Sequence, residues 1–215
     1  MSQPALMIFG ARRGVGLALA QAAREAGWAV IAVLRPGASS DELRDAGCQI
    51  RHADALDPAA VQACFAGLPA ATLVVSSLGG QDARVDDAGN RHVIDAARAH
   101  AAMGMLLVSS LGAGESREFA SPRLLSAIGA VLEAKTRAED HLRASGLDFA
   151  ILRPGGLVDA PASQSGQLVK RQDVHGFIAR AELARLILGL LSARRLPGQT
   201  LAAIDPACPA PARYA

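Results

Sequence analysis

Aromatic side chains are scarce, at 3% of 215 residues, and the single tyrosine is Tyr214. A platform of rings for stacking single-stranded nucleic acid is therefore not expected. Lysine occurs only at Lys135 and Lys170, so the basic charge is almost entirely arginine. Charge of one sign does not accumulate either. The net charge is +2, without a polybasic block, which argues against a nucleic-acid or membrane-surface partner. Cys48, Cys64 and Cys208 form no CxxC and no metal-ligand spacing, so they read as reduced thiols in a cytosol, and no metal is expected. Long apolar runs are also missing. The stretch ALMIFGA, residues 5–11, lacks a basic leading region and meets Arg12 and Arg13 at once, which makes it a strand and not a signal peptide or span. The expectation is a soluble, cytoplasmic protein.

What remains is a globular composition, 51% hydrophobic and 20% charged, in a chain long enough for one sizeable core. Short apolar runs at residues 5–9, 29–34, 49–52, 72–76, 105–109, 149–152 and 200–203 read as strands. Helical patterns alternate with them at 15–26, 40–46, 58–65, 87–102, 124–145 and 180–192. Ser39 with Glu42 reads as a capping box, Asp57-Pro58 as a cap with a first-turn proline, and Gly27, Gly104 and Gly146 as helix stops. Apolar strands alternating with helices predict an α/β fold of Rossmann type, a doubly wound parallel sheet covered on both faces. The expected domain is residues 1–205, with a polar, aperiodic substrate-side lid at about 159–176 and a loosely attached tail at 206–215.

Gly10, Gly14 and Gly16 follow the first strand and open an amphipathic helix. In a nucleotide site the first glycine makes the turn, the second admits the pyrophosphate and the third packs helix on strand. The N–H groups of the helix start, Val15 included, face the anion. The second strand ends in Leu34-Arg35-Pro36, with no carboxylate before Asp41 to hold ribose hydroxyls. Arg35 with Arg12 or Arg13 could instead grip a 2′-phosphate, which favours NADP(H) over NAD(H). The plainer reading is three solvated arginines in an arginine-rich chain. Asp54, followed by Ala55, ends the third strand where the adenine would lie. Asp57 is a helix cap. Ser76, Ser77, Leu78 and Gly79 end the fourth strand and leave room for ribose and pyrophosphate.

Several stretches occur in one order along most of the chain: GARRGVG (10–16), VLRPG (33–37), HADALD (52–57), DDAGNRHVIDAAR (86–98), LLVSSLGAG (106–114), AKTRAEDHLRASGLDFAILRPGGL (134–157) and ARAELARLI (179–187). Together they resemble the atypical short-chain dehydrogenase/reductase family, in its NmrA-like and biliverdin-reductase-B-like branch. The glycine turn departs from the GxxGxxG of that branch and reads GxxxGxG. The resemblance implies a Rossmann fold that binds NAD(P). It implies that Ser109 and Ser110 stand where the family holds its active-site hydroxyl, against the alternative that they cap a loop. It also implies that Pro154, Gly155, Gly156 and Leu157 lie against the nicotinamide, with backbone groups of 155–157 offered to the carboxamide. The full enzymes of the superfamily place a proton-donating tyrosine one helical turn before a ribose-binding lysine. Here that lysine is Lys135 and the tyrosine position is Val131. Lys135 either holds ribose or forms an i,i+4 pair with Glu139.

Two functions follow. One is hydride transfer from NADPH to a conjugated small molecule of flavin, quinone, tetrapyrrole or enone type, without a catalytic tyrosine. The expected acceptor walls are residues 78–82, 111–126 and 159–173. The other is a non-catalytic NADP(H)-binding sensor of NmrA type. Relatives pair subunits through helices like 87–102 and 124–145, so a homodimer is expected by analogy.

Overall fold

The computed structural model describes residues 5–69, 71–80, 82–193, 196 and 198–211. Strands β1 (Ala5–Phe9), β2 (Ala29–Leu34), β3 (Gln49–His52), β4 (Thr72–Ser76), β5 (Gly104–Val108) and β6 (Phe149–Pro154) are separated by helices α1 (Gly14–Glu25), α2 (Asp41–Asp45), α3 (Pro58–Ala63), α4 (Asn90–Ala99) and α5 (Pro122–Ala144). Strands β7 (Gly156–Val158), β8 (Gln167–Val169) and β9 (Phe177–Ala179), helix α6 (Arg180–Ser192) and strand β10 (Gln199–Ile204) follow. The main sheet has the order β3-β2-β1-β4-β5-β6-β10-β8, parallel except where β8 runs against β10. From β1 the chain winds outward to β3 and then returns to lay β4 on the other side. The crevice at the carboxyl ends of β1 and β4 is therefore the switch point where ligands bind in such sheets.

The two-residue period of the strands supplies both cores. Leu6, Ile8, Val30, Ala32, Leu73, Val75, Leu106 and Leu152 point to one face, under α1, α2 and α6. Met7, Phe9, Ile31, Val33, Val74, Met105, Leu107 and Ile151 point to the other, under α3, α4 and α5. Strands apolar on both sides are the signature of a sheet buried on both faces.

Local signals held where no distant partner intervened. Asp57 Oδ1 accepts from the N–H groups of Ala59 and Ala60, capping α3 ahead of Pro58. Gly27 and Gly146 take positive φ after α1 and α5. The capping box does not form. Glu42 is engaged by Gln21 of α1, while Ser39 turns to Asp41. Gly104 is not a helix stop: α4 ends at Ala99, Ala101 takes the left-handed conformation (φ 53°), and Gly104 lies inside β5. A Cβ there would sit 3.0 Å from the Asp148 carbonyl, so close packing explains the glycine. The helix expected at 87–102 is a five-residue π-helical segment, Val85–Gly89, running into α4. Helix α5 starts earlier than expected, on Ser121, whose hydroxyl accepts from the Leu124 N–H, with Pro122 in the first turn. It breaks at Ile128 (φ −138°, ψ 19°).

The aperiodic stretch after Asp159 contains β8 and is tied down by two carboxylates. Glu182 accepts from the N–H groups of Gln164 and Gly166, and Asp205 from the hydroxyls of Ser163 and Ser165. The start of the expected tail is held by the Ala207 N–H on Asp205, whereas residues 212–215, Tyr214 among them, lie outside the described residues. No helix among the described residues is long and apolar enough to cross a membrane.

Candidate functional site

The glycine turn is built by exclusion of side chains. Gly10 has φ +81°, and a Cβ on it would lie 2.9 Å from the Ser77 carbonyl and hydroxyl. A Cβ on Gly16 would collide with the Gly10 carbonyl and lie 2.6 Å from Ser77 Oγ. First and third glycines thus let α1, β1 and the end of β4 meet. Ser77 locks the junction by donating from its hydroxyl to the Phe9 carbonyl at 3.1 Å, which also accepts from the Ser77 N–H. Gly14, with φ +60°, opens α1. The N-cap, Arg13, makes no side-chain cap, and the first turn holds no acidic residue. The leading N–H groups of α1 therefore present an anion site that no protein side chain fills. Val15 contributes only its backbone, since its side chain lies in the core. Arg12, Arg13 and Arg35 are exposed, and among the described residues no hydrogen bond or ion pair engages their guanidinium groups, although the Asp82 carboxyl, held low first by Arg84, also feels the charge of Arg35.

Asp54 Oδ1 closes its own turn by accepting from the Leu56 N–H, and the Ala55 carbonyl meets His92 Nδ1. The end of β4 lies against a charged pair that the sequence did not reveal. Lys135 Nζ stands 2.8 Å from Asp86 Oδ1, with Asp86 fully buried and Lys135 14% exposed. A Cβ on Gly79 would lie 2.8 Å from that carboxylate and 3.1 Å from the ammonium. The π-helical segment turns Asp86 inward, whereas its neighbour Asp87 pairs outward with Arg137. The expected alternative, a Lys135–Glu139 pair, does not form, because Glu139 is committed elsewhere. The Lys135 ammonium carries donors beyond the one that faces Asp86, next to Gly79.

Glu139 anchors a second network. Arg153 at the end of β6 is wholly buried and grips it with two hydrogen bonds, Nε to Oε1 at 3.0 Å and Nη2 to Oε2 at 2.5 Å. Arg143 reaches Oε2 as well, Gln172 accepts from Arg153 Nη1, and Glu115 pairs with Arg153 Nη2 at 2.6 Å. Burial alone would depress the Arg153 guanidinium, but the two carboxylates outweigh it and hold it above its ordinary value. A Cβ on Gly114 would collide with Arg153 Nη2, so this network dictates that glycine.

The network decides between the two serines. Ser109 is buried and donates to Glu139 Oε1 at 2.5 Å, so its hydroxyl is spent inside the protein and does not fit the expected catalytic role. Ser110 is half-buried and donates only to the adjacent Leu111 carbonyl, a local bond that a substrate could replace. The backbone offered at 155–157 is corrected similarly. The Gly155 N–H donates to the Ala203 carbonyl, continuing the β6–β10 pairing, and the Gly156 N–H donates to the Gly176 carbonyl, where β7 meets β9. They are not free for a carboxamide. Pro154, whose carbonyl accepts from the Leu111 N–H, and Leu157 of β7 complete this side.

A groove of about 760 Å³ opens between the 3-10 turn at Gly114–Phe119 and the start of α5, lined by Gly114, Glu115, Arg117, Glu118, Ala120 and Leu125. It adjoins the Arg153 network within the expected 111–126 wall, away from the glycine turn. Phe119 and Ile128 are exposed nearby at 40% and 37%. Among the described residues no cluster of His, Cys, Asp or Glu could hold a metal ion. Val131, half-buried, stands one turn before Lys135.

Comparison with known proteins agrees with this geometry. A family model described as NAD(P)H-binding matches residues 10–194. The fold superposes with a TM-score of 0.89 on ChuY, an anaerobillin reductase from Escherichia coli O157:H7, at 36% identity over 96% of this chain and 100% of that one. A short-chain dehydrogenase/reductase of Veillonella parvula, solved in complex with NADP, shares the fold alone, with a TM-score of 0.74 at 14% identity over 96% of each chain. Sanguinarine reductase of Eschscholzia californica is 33% identical over 106 residues, which is 47% of this chain and 38% of that protein. The chain therefore spans well under two thirds of that relative's length. The glycine turn, β4 and α6 all fall inside the matched region, and the chain belongs to the NAD(P)H-binding family, with a reductase-like Rossmann fold.

Proposed function

We propose that the chain is an NADP(H)-dependent reductase acting on a conjugated small molecule, with no tyrosine in its mechanism. The observation that carries the reading is the uncapped start of α1 behind a glycine turn packed on Ser77, with Lys135, paired to buried Asp86, beside Gly79 just after the same strand. These residues fit a dinucleotide: backbone N–H groups for the pyrophosphate, and a fixed ammonium for ribose hydroxyls. Arg12, Arg13 and Arg35, all exposed, would offer a 2′-phosphate guanidinium groups that no described side-chain hydrogen bond or ion pair engages. When bound, the dihydronicotinamide supplies the hydride. The chain orients it from the glycine turn and Lys135, and Ser110 holds a hydroxyl proton at the acceptor side. With Val131 in place of a general acid, the matching proton comes from solvent or through Ser110. Acceptors that delocalise the arriving charge, such as flavins, quinones, tetrapyrroles or enones, need no stronger acid. Two of the relatives are reductases by name, of anaerobillin and of sanguinarine, which supports this class.

Titration of the protein with NADPH and NADH tests the cofactor. NADPH is expected to bind more tightly, and Arg35→Ala to weaken NADPH by about 10- to 100-fold, the loss of one or two charge-assisted hydrogen bonds, with little effect on NADH. Equal losses for both would remove the 2′-phosphate assignment. Val131 also suits a second reading, a sensor that binds NADP(H) and reports its redox state. Tight NADPH binding with no oxidation by any acceptor class would select that reading.

A further inference from the structure

The geometry points to Arg180 as a second phosphate ligand of the cofactor, contributed from the lid side and held in reserve by Asp159. This rests on the reading of the glycine turn as a dinucleotide site. Arg180 is the first residue of α6, where a cation meets the positive end of the helix dipole and gains nothing from its own helix. A residue that breaks a local rule in this way calls for a tertiary reason. Its side chain leaves α6 and crosses to α1. A Cβ built on Gly14 would lie 3.5 Å from Arg180 Nε and 3.6 Å from its Cδ. The guanidinium thus roofs the glycine at which a pyrophosphate reaches the uncapped N–H groups of α1.

In the structure, Arg180 Nη1 pairs with Asp159 Oδ1 at 2.8 Å. Asp159 is 88% exposed and Arg180 29% exposed, so the pair is screened and holds little energy. A pyrophosphate beside Gly14 offers the same guanidinium two negative charges, one on each phosphate, in a better-shielded place, with oxygens spaced for its planar fork. Arg180 then exchanges Asp159 for the cofactor. Asp159 follows directly on β7 and begins the segment that leads to β8, so the exchange ties the entrance of that segment to cofactor occupancy. Pyrophosphate is common to NADPH and NADH. Arg180 therefore adds affinity without discriminating between them, unlike Arg35.

The test is a fluorescence titration of NADPH and NADH against the wild type, Arg180→Ala, Arg180→Lys and Asp159→Asn, with a thermal melt of each free protein. Arg180→Ala is expected to weaken both cofactors in parallel by about 10-fold or more, with Arg180→Lys intermediate. Asp159→Asn is expected to tighten both, because it removes the competitor for the guanidinium. A mere surface latch predicts the same sign for both sides of the pair, since either substitution breaks it. Unchanged affinities in Arg180→Ala, or weakening in Asp159→Asn, overturn the proposal while leaving the site reading intact. Failure of the wild type to bind either cofactor overturns the site reading itself.

Discussion

Single residues in this protein are explained mainly by what surrounds them. Arg153 reads in the sequence as the first letter of a strand-ending turn, yet among the described residues it is the bulkiest fully buried charged side chain, held by Glu139. Glu139→Ala leaves that charge without its bidentate partner and is expected to cost about 3–5 kcal/mol in a denaturant titration. Glu115 reaches the same guanidinium but is 66% exposed, so Glu115→Ala is expected to cost about 1 kcal/mol or less. Equal costs would mean that the network is not centred on Glu139. Lys135 and buried Asp86 form a second pair, beside Gly79 after β4. A periodicity argument cannot find that pair, because its members are far apart in sequence and Asp86 is aimed by a π-helical segment.

At the scale of elements, the sequence was legible wherever a signal was local. The alternation of faces placed β1 to β4 to the residue, and Asp57-Pro58 marked the start of α3. The same cap-and-proline signal at Ser121-Pro122 marks the start of α5 and could have been used there. Misreadings arose where a distant partner prevailed: Gln21 over the Ser39–Glu42 box and the Asp148 carbonyl over Gly104 as a helix stop; the segment read as a loop or lid at 159–173 also carries the short strand β8, paired with β10. That last segment is pinned by acids. Arg185, and then the Gly166 and Gln164 amides, hold the Glu182 carboxyl below its ordinary value, while Ser163 and Ser165 do so for Asp205. Because both folded values are depressed, their stabilisation is complete above the ordinary carboxylate range and is lost as pH falls through the folded values. The 163–166 turn is therefore expected to loosen in acid, below pH about 4. Glu182→Ala is expected to reproduce the loosening at neutral pH, read as faster amide exchange at Gln164 and Gly166. Unchanged exchange there would show that the turn is held by something else.

At the scale of the whole molecule, the two halves of the site differ in how openly they were written. The cofactor half is made of backbone, glycines and a switch point, all of which follow from strand order and a short motif. The proposed acceptor half depends on which hydroxyl points where, and only the packed structure separates Ser110 from the buried Ser109. It also shows the 155–157 turn to be a β-pairing element whose first two N–H groups are occupied. The account therefore stands or falls on turnover. Its most direct test is the initial rate of NADPH consumption by the wild-type protein against flavin, quinone, tetrapyrrole and enone acceptors, each compared with Lys135→Ala and Ser110→Ala. At least one acceptor is expected to drive consumption above the protein-free rate, with Lys135→Ala slowing it by about 10-fold or more and Ser110→Ala by a comparable factor. NADPH bound tightly but consumed with no acceptor, or consumed at wild-type rates by both variants, would contradict the account.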